Sequence, residues 1–334
     1  METKKLKIGI SQGDINGIGY EIILKTLDDI RILEFCTPII YGSPKVAAYH
    51  RKNLDITLNL NLINQADEAN DKRVNIINCN DDDIKVELAR STEEAGKAAY
   101  LALEKATQDL KSGAIDALIT APINKKNIQS SEFTFPGHTE YLEEKFGNKG
   151  EALMLMINDF MRIAVVTGHI PIAKVAESLS TEKILAKIKQ LHGTLTQDFL
   201  FTNPRIAVLG LNPHAGDDGV IGDEEKTIIQ PAIEQALKDG IICVGPLPAD
   251  GFFGSSNFQH YDGILAMYHD QGLIAFKAMS MDTGVNYTAG LSVVRTSPAH
   301  GTAYDKAGLN VASEASFRAA MYLACDVVRN RQRS

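Results

Sequence analysis

Three histidines in this chain could bind a metal ion. His169, His214 and His269 each stand just beyond an apolar run that predicts a buried strand. Neutral imidazole is a common ligand of divalent metals, and three imidazoles with an open fourth position suit zinc or a similar ion. Their spacing matches no local zinc motif, so a shared metal site requires the fold to bring them together.

Two aspartates could support such a site. Asp270 is adjacent to His269, and Asp250 lies in a Pro-Ala-Asp-Gly sequence that is typical of a turn. A carboxylate beside a metal-binding histidine can fix the tautomer of the imidazole or balance the charge of the metal. The alternative for both residues is an ordinary turn or helix-capping aspartate.

A second group of polar residues could bind an anion. Lys277, Asn286 and Arg295 follow the third histidine in a stretch rich in Gly, Ser and Thr, and an arginine can contact phosphate or carboxylate with two prongs. His138 and Thr139 precede a short predicted helix, whose first N–H groups would point at an anion. A solvated surface and a helix cap are the alternatives.

These residues need a scaffold that places them at one edge of a sheet. Apolar runs of strand length alternate with amphipathic segments, which predicts an α/β fold with a mainly parallel sheet and ligands at the carboxyl ends of the strands. The predicted strands are Leu6–Ser11, Thr37–Tyr41, Val74–Ile77, Ala117–Thr120, Ala152–Ile157, Arg162–Thr167, Arg205–Gly210 and Gly263–Met267. The predicted helices run from the capping box Ser91–Glu94 to Ser112 with Gly113 as the stop, from Ser180 to His192 and Gly193, from Asp223 to Lys238 with a kink at Pro231, and from Ser313 to Arg331.

Composition narrows the class of protein. The 334 residues are 44% hydrophobic and 23% charged, which is typical of a globular protein with a large core. The net charge of −8 disfavours a nucleic-acid partner, and four widely spaced cysteines suit a reducing compartment. No signal-peptide core and no apolar stretch of ~18 residues is present, so we expect a cytoplasmic protein with no membrane partner.

The glycine-rich segment 13–19 does not complete a dinucleotide-binding fingerprint. It lacks the third glycine of the Rossmann motif, and the chain contains neither a Walker loop nor a Gly-x-Ser-x-Gly sequence. A nicotinamide enzyme built on this chain would therefore bind its cofactor in another way.

Seven blocks in order along the chain carry a family resemblance. Together they resemble the 4-hydroxythreonine-4-phosphate dehydrogenase family of vitamin B6 biosynthesis, from Gly9 to about Ser316. The blocks are Gly13-Asp14 with Gly17-Ile-Gly19, Thr120-Ala-Pro-Ile-Asn-Lys125, Pro136-Gly-His-Thr-Glu140, Thr167-Gly-His-Ile-Pro171, Leu211-Asn-Pro-His-Ala-Gly216, Met267-Tyr-His-Asp-Gln-Gly-Leu273, and Arg295-Thr-Ser-Pro298 with His300-Gly-Thr-Ala303.

The resemblance implies a fold similar to that of isocitrate and isopropylmalate dehydrogenases. Two α/β/α lobes are expected, with the active site in the cleft between them. The first lobe, 1–126 with 297–334, would lie on the cofactor side, and the second, 127–296, would carry the metal and the dimer interface.

The resemblance also implies roles for individual residues in a homodimer whose active site is shared between subunits. One divalent metal per subunit, with zinc favoured over magnesium or cobalt, would be held by His169 and His214 of one subunit and His269 of the partner. The remaining implied roles are substrate contacts from His138, Thr139, Lys277, Asn286 and Arg295, support from Asp250 and Asp270, and NAD or NADP contacts from His300, Gly301 and Thr302.

The implied reaction is the oxidation and decarboxylation of 4-phosphooxy-L-threonine to 3-amino-2-oxopropyl phosphate, a step of pyridoxal 5'-phosphate biosynthesis. One alternative is a related dehydrogenase acting on threonate or erythronate 4-phosphate. Others are a metal-dependent hydrolase of a phosphorylated metabolite and a metabolite-binding protein without activity.

Four residues depart from the pattern usual in the family. Ile15, Asn16 and Tyr20 stand where the first loop usually has Pro, Ala and Pro, and Ala299 stands where Asp is usual. The first-loop changes could tune the pocket or repack it. Ala299 lies beside the expected cofactor loop and bears on cofactor preference.

Overall fold

The computed structural model describes residues 5–80, 83–147, 150, 152–280 and 282–333. The chain forms two compact units, one of Met1–Lys149 with Leu291–Arg329 and one of Gly150–Gly290 with Asn330–Ser334. The first unit thus includes residues 127–149 and 291–296, which the sequence analysis assigned to the second lobe. The lobe boundaries at 126/127 and 296/297 stay a prediction.

The described part of the chain alternates strands and helices. The strands are β1 Leu6–Ser11, β2 Cys36–Gly42, β3 Leu60–Ile63, β4 Val74–Asn78, β5 Ala117–Thr120, β6 Leu153–Ile157, β7 Arg162–Thr167, β8 Ile206–Leu209, β9 Cys243–Leu247, β10 Gly263–Tyr268, β11 Val285–Ala289 and β12 Val294–Pro298. The α-helices are α1 Gly19–Asp28, α2 Ile32–Phe35, α3 Pro44–Asn53, α4 Glu93–Ser112, α5 His138–Phe146, α6 Thr181–Gln197, α7 Gln230–Lys238, α8 Ala249–Gly254, α9 His269–Met279 and α10 Ala315–Arg331.

The first unit is built on a wholly parallel sheet. Its strands lie in the order β3, β4, β2, β1, β5, β12, and every neighbouring pair runs in the same direction. All residues of β2 and β5 are buried, as expected for a parallel sheet covered on both faces. The near-continuous apolar runs of these strands therefore follow from burial on two faces.

The second unit has a mixed sheet. Its strands lie in the order β11, β6, β7, β10, β8, β9, with β6 antiparallel to both of its neighbours and the strands from β7 to β9 parallel. Because the parallel strands β7, β10 and β8 end at the same edge, the residues that follow them meet at that edge.

The α/β fold with a mainly parallel sheet is confirmed. All eight predicted strands are present to within one residue at either end, but β3, β9, β11 and β12 were not predicted. The last two carry Asn, Arg, Thr and Ser in a stretch that looks like a loop. Thr288 and Thr296 are nevertheless fully buried in them. Pairing with neighbouring strands overrides the weak local preference.

Two predicted helix ends need correction. Thr92, rather than Ser91, caps α4, since its side chain accepts a hydrogen bond from the Ala95 N–H. The predicted end of α6 at Gly193 is wrong, because the buried Leu191 and Leu195 keep the helix packed through that glycine. No helix within the described ranges is long and apolar enough to cross a membrane.

The predicted stop of α4 and the predicted start of α6 are confirmed, and the kink expected at Pro231 stays a prediction. Gly113 ends α4 with a φ of 75°, a left-handed conformation that glycine adopts without a steric penalty. Ser180 caps α6 by accepting a hydrogen bond from the Lys183 N–H. Pro231 lies in the first turn of α7, directly after a π-helical turn over Glu225–Ile229.

Candidate functional site

Two of the three histidines lie side by side in the second unit. Thr167 and Tyr268 are register partners at the ends of β7 and β10, and His169 and His269 follow them. The Thr167 hydroxyl donates to the carbonyl oxygen of Met267 at 2.8 Å, which ties the two strand ends together. The centroids of the two imidazole rings are 5.4 Å apart.

Asp270 orients one of these imidazoles. Its Oδ1 lies 2.7 Å from Nδ1 of His269. An ionised carboxylate can only accept, so Nδ1 carries a proton, and in the neutral imidazole this tautomer leaves Nε2 with a lone pair. Both histidines and Asp270 line a cavity of about 210 Å³. This donor set fits a divalent cation, which commonly binds imidazole oriented in this way.

His214 follows β8, the other neighbour of β10, at the same edge of the sheet. It is exposed and begins a run of six residues with positive φ, His214–Gly219, with values between 43° at Asp217 and 97° at Gly219. Within the described ranges, no three His, Cys, Asp or Glu side chains are grouped closely enough to hold a metal together. Asp250 is exposed in the first turn of α8. The joint site of three histidines and the role of Asp250 stay predictions.

Two expected substrate residues belong to the same unit. Asn286 lies on β11 opposite Met156 of β6, and its buried Oδ1 has no hydrogen-bond partner among the described residues. Lys277 is exposed in the last turn of α9, the helix that begins with His269. A buried unpaired amide oxygen is costly unless a ligand donates to it, which fits a binding role for Asn286.

The first unit contains a buried cation that could bind an anion. Arg295 lies on β12 beside β5, and its Nε and Nη2 donate to Thr120 Oγ1 at 3.1 and 2.6 Å. Burial lowers the pKa of its guanidinium to about 10, against the opposing field of Glu140. The group therefore stays charged at neutral pH.

His138 begins α5 in the same unit. Burial, followed by the charges of Arg295 and Lys125, holds the pKa of its imidazole well below the ordinary 6.5. Its Nε2 is buried with no hydrogen-bond partner in the described part of the chain. A neutral imidazole with an unused nitrogen can bind a polar group of a substrate. Thr139 follows as the second residue of α5 and is half-buried.

Sequence reasoning missed Lys125 as a site residue. Its charge acts on the imidazole of His138, although no regular spacing in the sequence relates the two residues. The available signal was its position just after β5, at the carboxyl end of a strand of the parallel sheet.

The expected cofactor loop lies against the glycine-rich first loop. The Ile18 N–H donates to the Thr302 carbonyl oxygen at 3.0 Å, and a Cβ on Gly17 would lie only 2.7 Å from that oxygen. This close approach explains the glycine at position 17. Gly301 in this loop is exposed. Burial lowers the pKa of the neighbouring His300, and its Nε2 is buried with no hydrogen-bond partner within the described ranges. The unused nitrogen fits a residue that contacts a ligand.

Asp14 holds the first loop and the expected cofactor loop together. Sequence reasoning did not select it as a site residue. Its side chain is fully buried and accepts from the Asn16 N–H, from Asn127 Nδ2 at 2.8 Å and from the Tyr304 hydroxyl at 2.7 Å. The only signal was its place in the first-loop block.

The departures in the first loop form a buried network. Ile15, Asn16 and Tyr20 are all fully buried. The Tyr20 hydroxyl donates to Gln12 Oε1 at 2.7 Å, and its ring stacks on His50 at a centroid distance of 5.2 Å. Burial of these side chains favours the interpretation that the changes repack the interior behind the loop, and this stays a prediction.

Comparison with known proteins places the chain in a family. The family model described as "Pyridoxal phosphate biosynthetic protein PdxA" matches residues 34–324. A protein from Bacteroides thetaiotaomicron named 4-hydroxythreonine-4-phosphate dehydrogenase is 59% identical over 333 residues, which are 100% of this chain and 92% of that protein. A protein from Oceanobacillus iheyensis named "Putative D-threonate 4-phosphate dehydrogenase" is 37% identical over 97% of this chain and 98% of its own length.

Solved structures agree with the fold. The crystal structure of 4-hydroxythreonine-4-phosphate dehydrogenase from Klebsiella pneumoniae matches with a TM-score of 0.83 and 31% identity, over 98% of this chain and 99% of that one. A beta-decarboxylating dehydrogenase from Thermococcus kodakarensis matches with a TM-score of 0.50 and 13% identity, over 95% and 82% of the two chains, which shows a likeness of fold alone. The chain therefore belongs to the family of pyridoxal phosphate biosynthetic proteins PdxA, as its ordered sequence blocks predict.

Proposed function

We propose that this chain oxidises and decarboxylates 4-phosphooxy-L-threonine to 3-amino-2-oxopropyl phosphate, a step of pyridoxal 5'-phosphate biosynthesis that uses NAD or NADP. The observation that carries the proposal is that the segments bearing His169, His214 and His269 follow three neighbouring parallel strands at one edge of the sheet, with Asp270 orienting the ring of His269. The 59% identity to a protein named for this activity supports it.

The protein's own residues would hold the reactants in place. His169, His214 and His269 would hold a divalent cation, with zinc favoured over magnesium or cobalt. When bound, the cation supplies Lewis acidity that stabilises negative oxygen, and the nicotinamide supplies a two-electron acceptor. Asp270 keeps the proton of His269 on Nδ1, so that Nε2 can face the cation.

The binding residues would orient the phosphorylated substrate. Arg295 presents a charged, buried guanidinium, and the neutral His138 and the amide of Asn286 each offer a buried polar atom. Lys277 adds a cation, and Thr139 at the start of α5 would contact the same anionic groups. His300, Gly301 and Thr302 would contact the cofactor.

A second copy of the chain would complete the site. Three apolar side chains stand near the histidine-bearing segments yet are strongly exposed: Ile172 at 71%, Val220 at 81% and Ile274 at 67%. Exposed apolar groups around a polar site are typical of an interface between protein chains. A homodimer in which His269 serves the partner's site would cover them.

The direct test is turnover of 4-phosphooxy-L-threonine with NAD, followed as NADH absorbance. We expect a chelator to abolish turnover and added Zn²⁺ to restore it, and His214→Ala to lose bound metal. NAD reduction at the full rate by a metal-free preparation would contradict the metal site. Phosphate release without any nicotinamide would favour the hydrolase.

A mixing experiment tests the shared site. His169→Ala and His269→Ala are each expected to be inactive, because each removes an imidazole from every site. If His269 serves the partner's site, mixed dimers contain one site with all three histidines, so mixing the variants should restore activity. Failure of the mixture after subunit exchange, shown by mass spectrometry, would place all three ligands in one chain.

A dehydrogenase of D-threonate 4-phosphate is the second candidate. The observation that favours it is the 37% identity to a protein given that name. Comparing kcat/KM for 4-phosphooxy-L-threonine with that for threonate and erythronate 4-phosphates decides between them.

A further inference from the structure

The turn that carries His214 has an unusual backbone. His214, Ala215, Asp217 and Asp218 adopt φ values between 43° and 56°, and Gly216 adopts 82°. A left-handed run of this length is unfavourable for residues with a side chain and persists only where surrounding groups hold it. Something in the fold must therefore stabilise this turn.

The carboxylate of Glu225 is the group that meets the turn. Glu225 is buried at 3% exposure in the π-helical turn before α7. Its Oε1 accepts from the N–H groups of Leu211 and Asn212 at 2.8 and 2.7 Å, and its Oε2 accepts from Asn212 Nδ2 at 2.9 Å. Three donors from the two residues that lead to Pro213 and His214 thus converge on one carboxylate.

Two glycines leave room for this carboxylate. A Cβ on Gly216 would lie 2.7 Å from Glu225 Oε2, and a Cβ on Gly210 would lie 3.1 Å from Oε1. The glycines stand on either side of His214, so the chain wraps around the carboxylate before and after the histidine.

A second side chain ties the start of the turn to the other histidines. Gln271, two residues after His269, donates from Nε2 to the Gly210 carbonyl oxygen at 2.6 Å. Its Oε1 accepts from the Met267 N–H at 2.8 Å. The end of β8 is thereby held to the end of β10, where His269 begins.

We propose that Glu225 is the positioning residue that holds the His214 turn in the conformation that serves the metal site. The inference rests on the proposed function, because His214 is there a metal ligand. A carboxylate is required, since it presents only acceptors to the three donors, whereas an amide would set one N–H₂ group against a donor.

The test measures the binding of Co²⁺ alone to the purified full chain, followed by visible absorption and calorimetry. For Glu225→Gln we expect the dissociation constant for Co²⁺ to rise about 10–100-fold, as for other residues that orient metal ligands. We also expect excess Zn²⁺ to restore part of the turnover of Glu225→Gln. A purely structural role would lower the melting temperature and leave Co²⁺ affinity unchanged.

Glu224→Gln is the matched control. In this region Glu224 accepts a hydrogen bond from Asn212 Nδ2 at 2.7 Å, whereas Glu225 also accepts from two backbone N–H groups. The amide variant of Glu224 should therefore bind Co²⁺ within twofold of the unchanged chain. Glu225→Asp keeps the charge on a shorter side chain, so it should retain more affinity for Co²⁺ than Glu225→Ala. Equal loss in all three Glu225 variants would overturn the need for a carboxylate.

The outcomes separate the two claims. If His214→Ala loses Co²⁺ while the folded Glu225→Gln binds it as tightly as the unchanged chain, the role of Glu225 is overturned and the metal site stands. If His214→Ala binds Co²⁺ normally, the metal site of the proposed function is wrong, and the role of Glu225 toward it falls with it.

Discussion

Three residues expected to bind ligands each bury a polar atom that lacks a hydrogen-bond partner among the described residues. They are His138, Asn286 and His300, through Nε2, Oδ1 and Nε2. Leaving such an atom unpaired costs roughly 1–3 kcal/mol, so each of these positions lowers the free energy of unfolding unless a ligand pairs with it. The charged guanidinium of Arg295 is buried at 2% exposure and donates to Thr120, and burying a charge also costs stability because its hydration is lost.

Arg295→Lys tests the anion-binding role. A lysine keeps the charge but loses the planar fork, so we expect the KM for the phosphorylated substrate to rise roughly 10–100-fold, which corresponds to about 1.4–2.8 kcal/mol. Initial-rate measurements of NADH formation check it. Arg318→Lys is the control and should leave KM unchanged. Arg318 lies on α10 and forms an ion pair with Glu314, just before that helix. An unaltered KM in Arg295→Lys would remove this residue from the substrate site.

At the scale of elements, the glycine-rich first loop organises the start of α4. The amide of Asn16 accepts from the Glu87 N–H at 2.7 Å and donates to the Arg90 carbonyl oxygen and to Thr92 Oγ1, both at 3.0 Å. Thr92 in turn caps α4. One side chain thus links the loop, the segment before the helix and the helix cap.

Asn16→Ala places at this position the residue that is usual in the family. Because three hydrogen bonds are lost, we expect the free energy of unfolding to fall by about 1–3 kcal/mol, measured by urea denaturation. The ratio of kcat/KM with NAD to that with NADP should not change, since the side chain is fully buried. Gln108→Ala, at an exposed amide on α4, is the control. A large shift in cofactor preference would show that Asn16 tunes the pocket.

For the whole molecule, buried histidines make stability depend on pH. Burial lowers the pKa values of His50, His138 and His300 below the ordinary 6.5. As the pH falls below 6.5, the unfolded chain binds protons at these residues and the folded chain does not, so the free energy of unfolding falls. The contribution of these neutral histidines to the free energy of unfolding is complete above the pKa of histidine in the unfolded chain. It declines as the pH falls toward their lower pKa values in the folded chain.

His50→Gln isolates one of these contributions. Between pH 7.5 and 5.5 we expect this variant to lose less stability than the unchanged chain, by up to about 1 kcal/mol. Urea denaturation at the two pH values measures the difference. His260→Gln, at an exposed histidine, is the control and should lose as much as the unchanged chain. Equal losses in His50→Gln and the unchanged chain would contradict the lowered pKa of His50.

The sequence by itself determined the α/β class, most of the strands, the family and the positions of the histidines just beyond strand ends. Apolar runs of strand length report burial on both faces of a sheet, and this signal is local. The seven ordered blocks predicted the PdxA family, which the comparisons confirm. Local patterns also located the stop of α4 at Gly113 and the cap of α6 at Ser180.

Only the tertiary structure decided that Asn286 and Arg295 stand on strands, because β11 and β12 are polar segments whose strand conformation depends on hydrogen bonds to neighbouring strands. It also decided the neutral state of His138 and the acceptor role of Glu225 toward the His214 turn. A pKa or a buried hydrogen bond depends on groups that can be far apart in the chain, such as Arg295 near His138. Their distances are set by packing, which no local pattern of residues encodes.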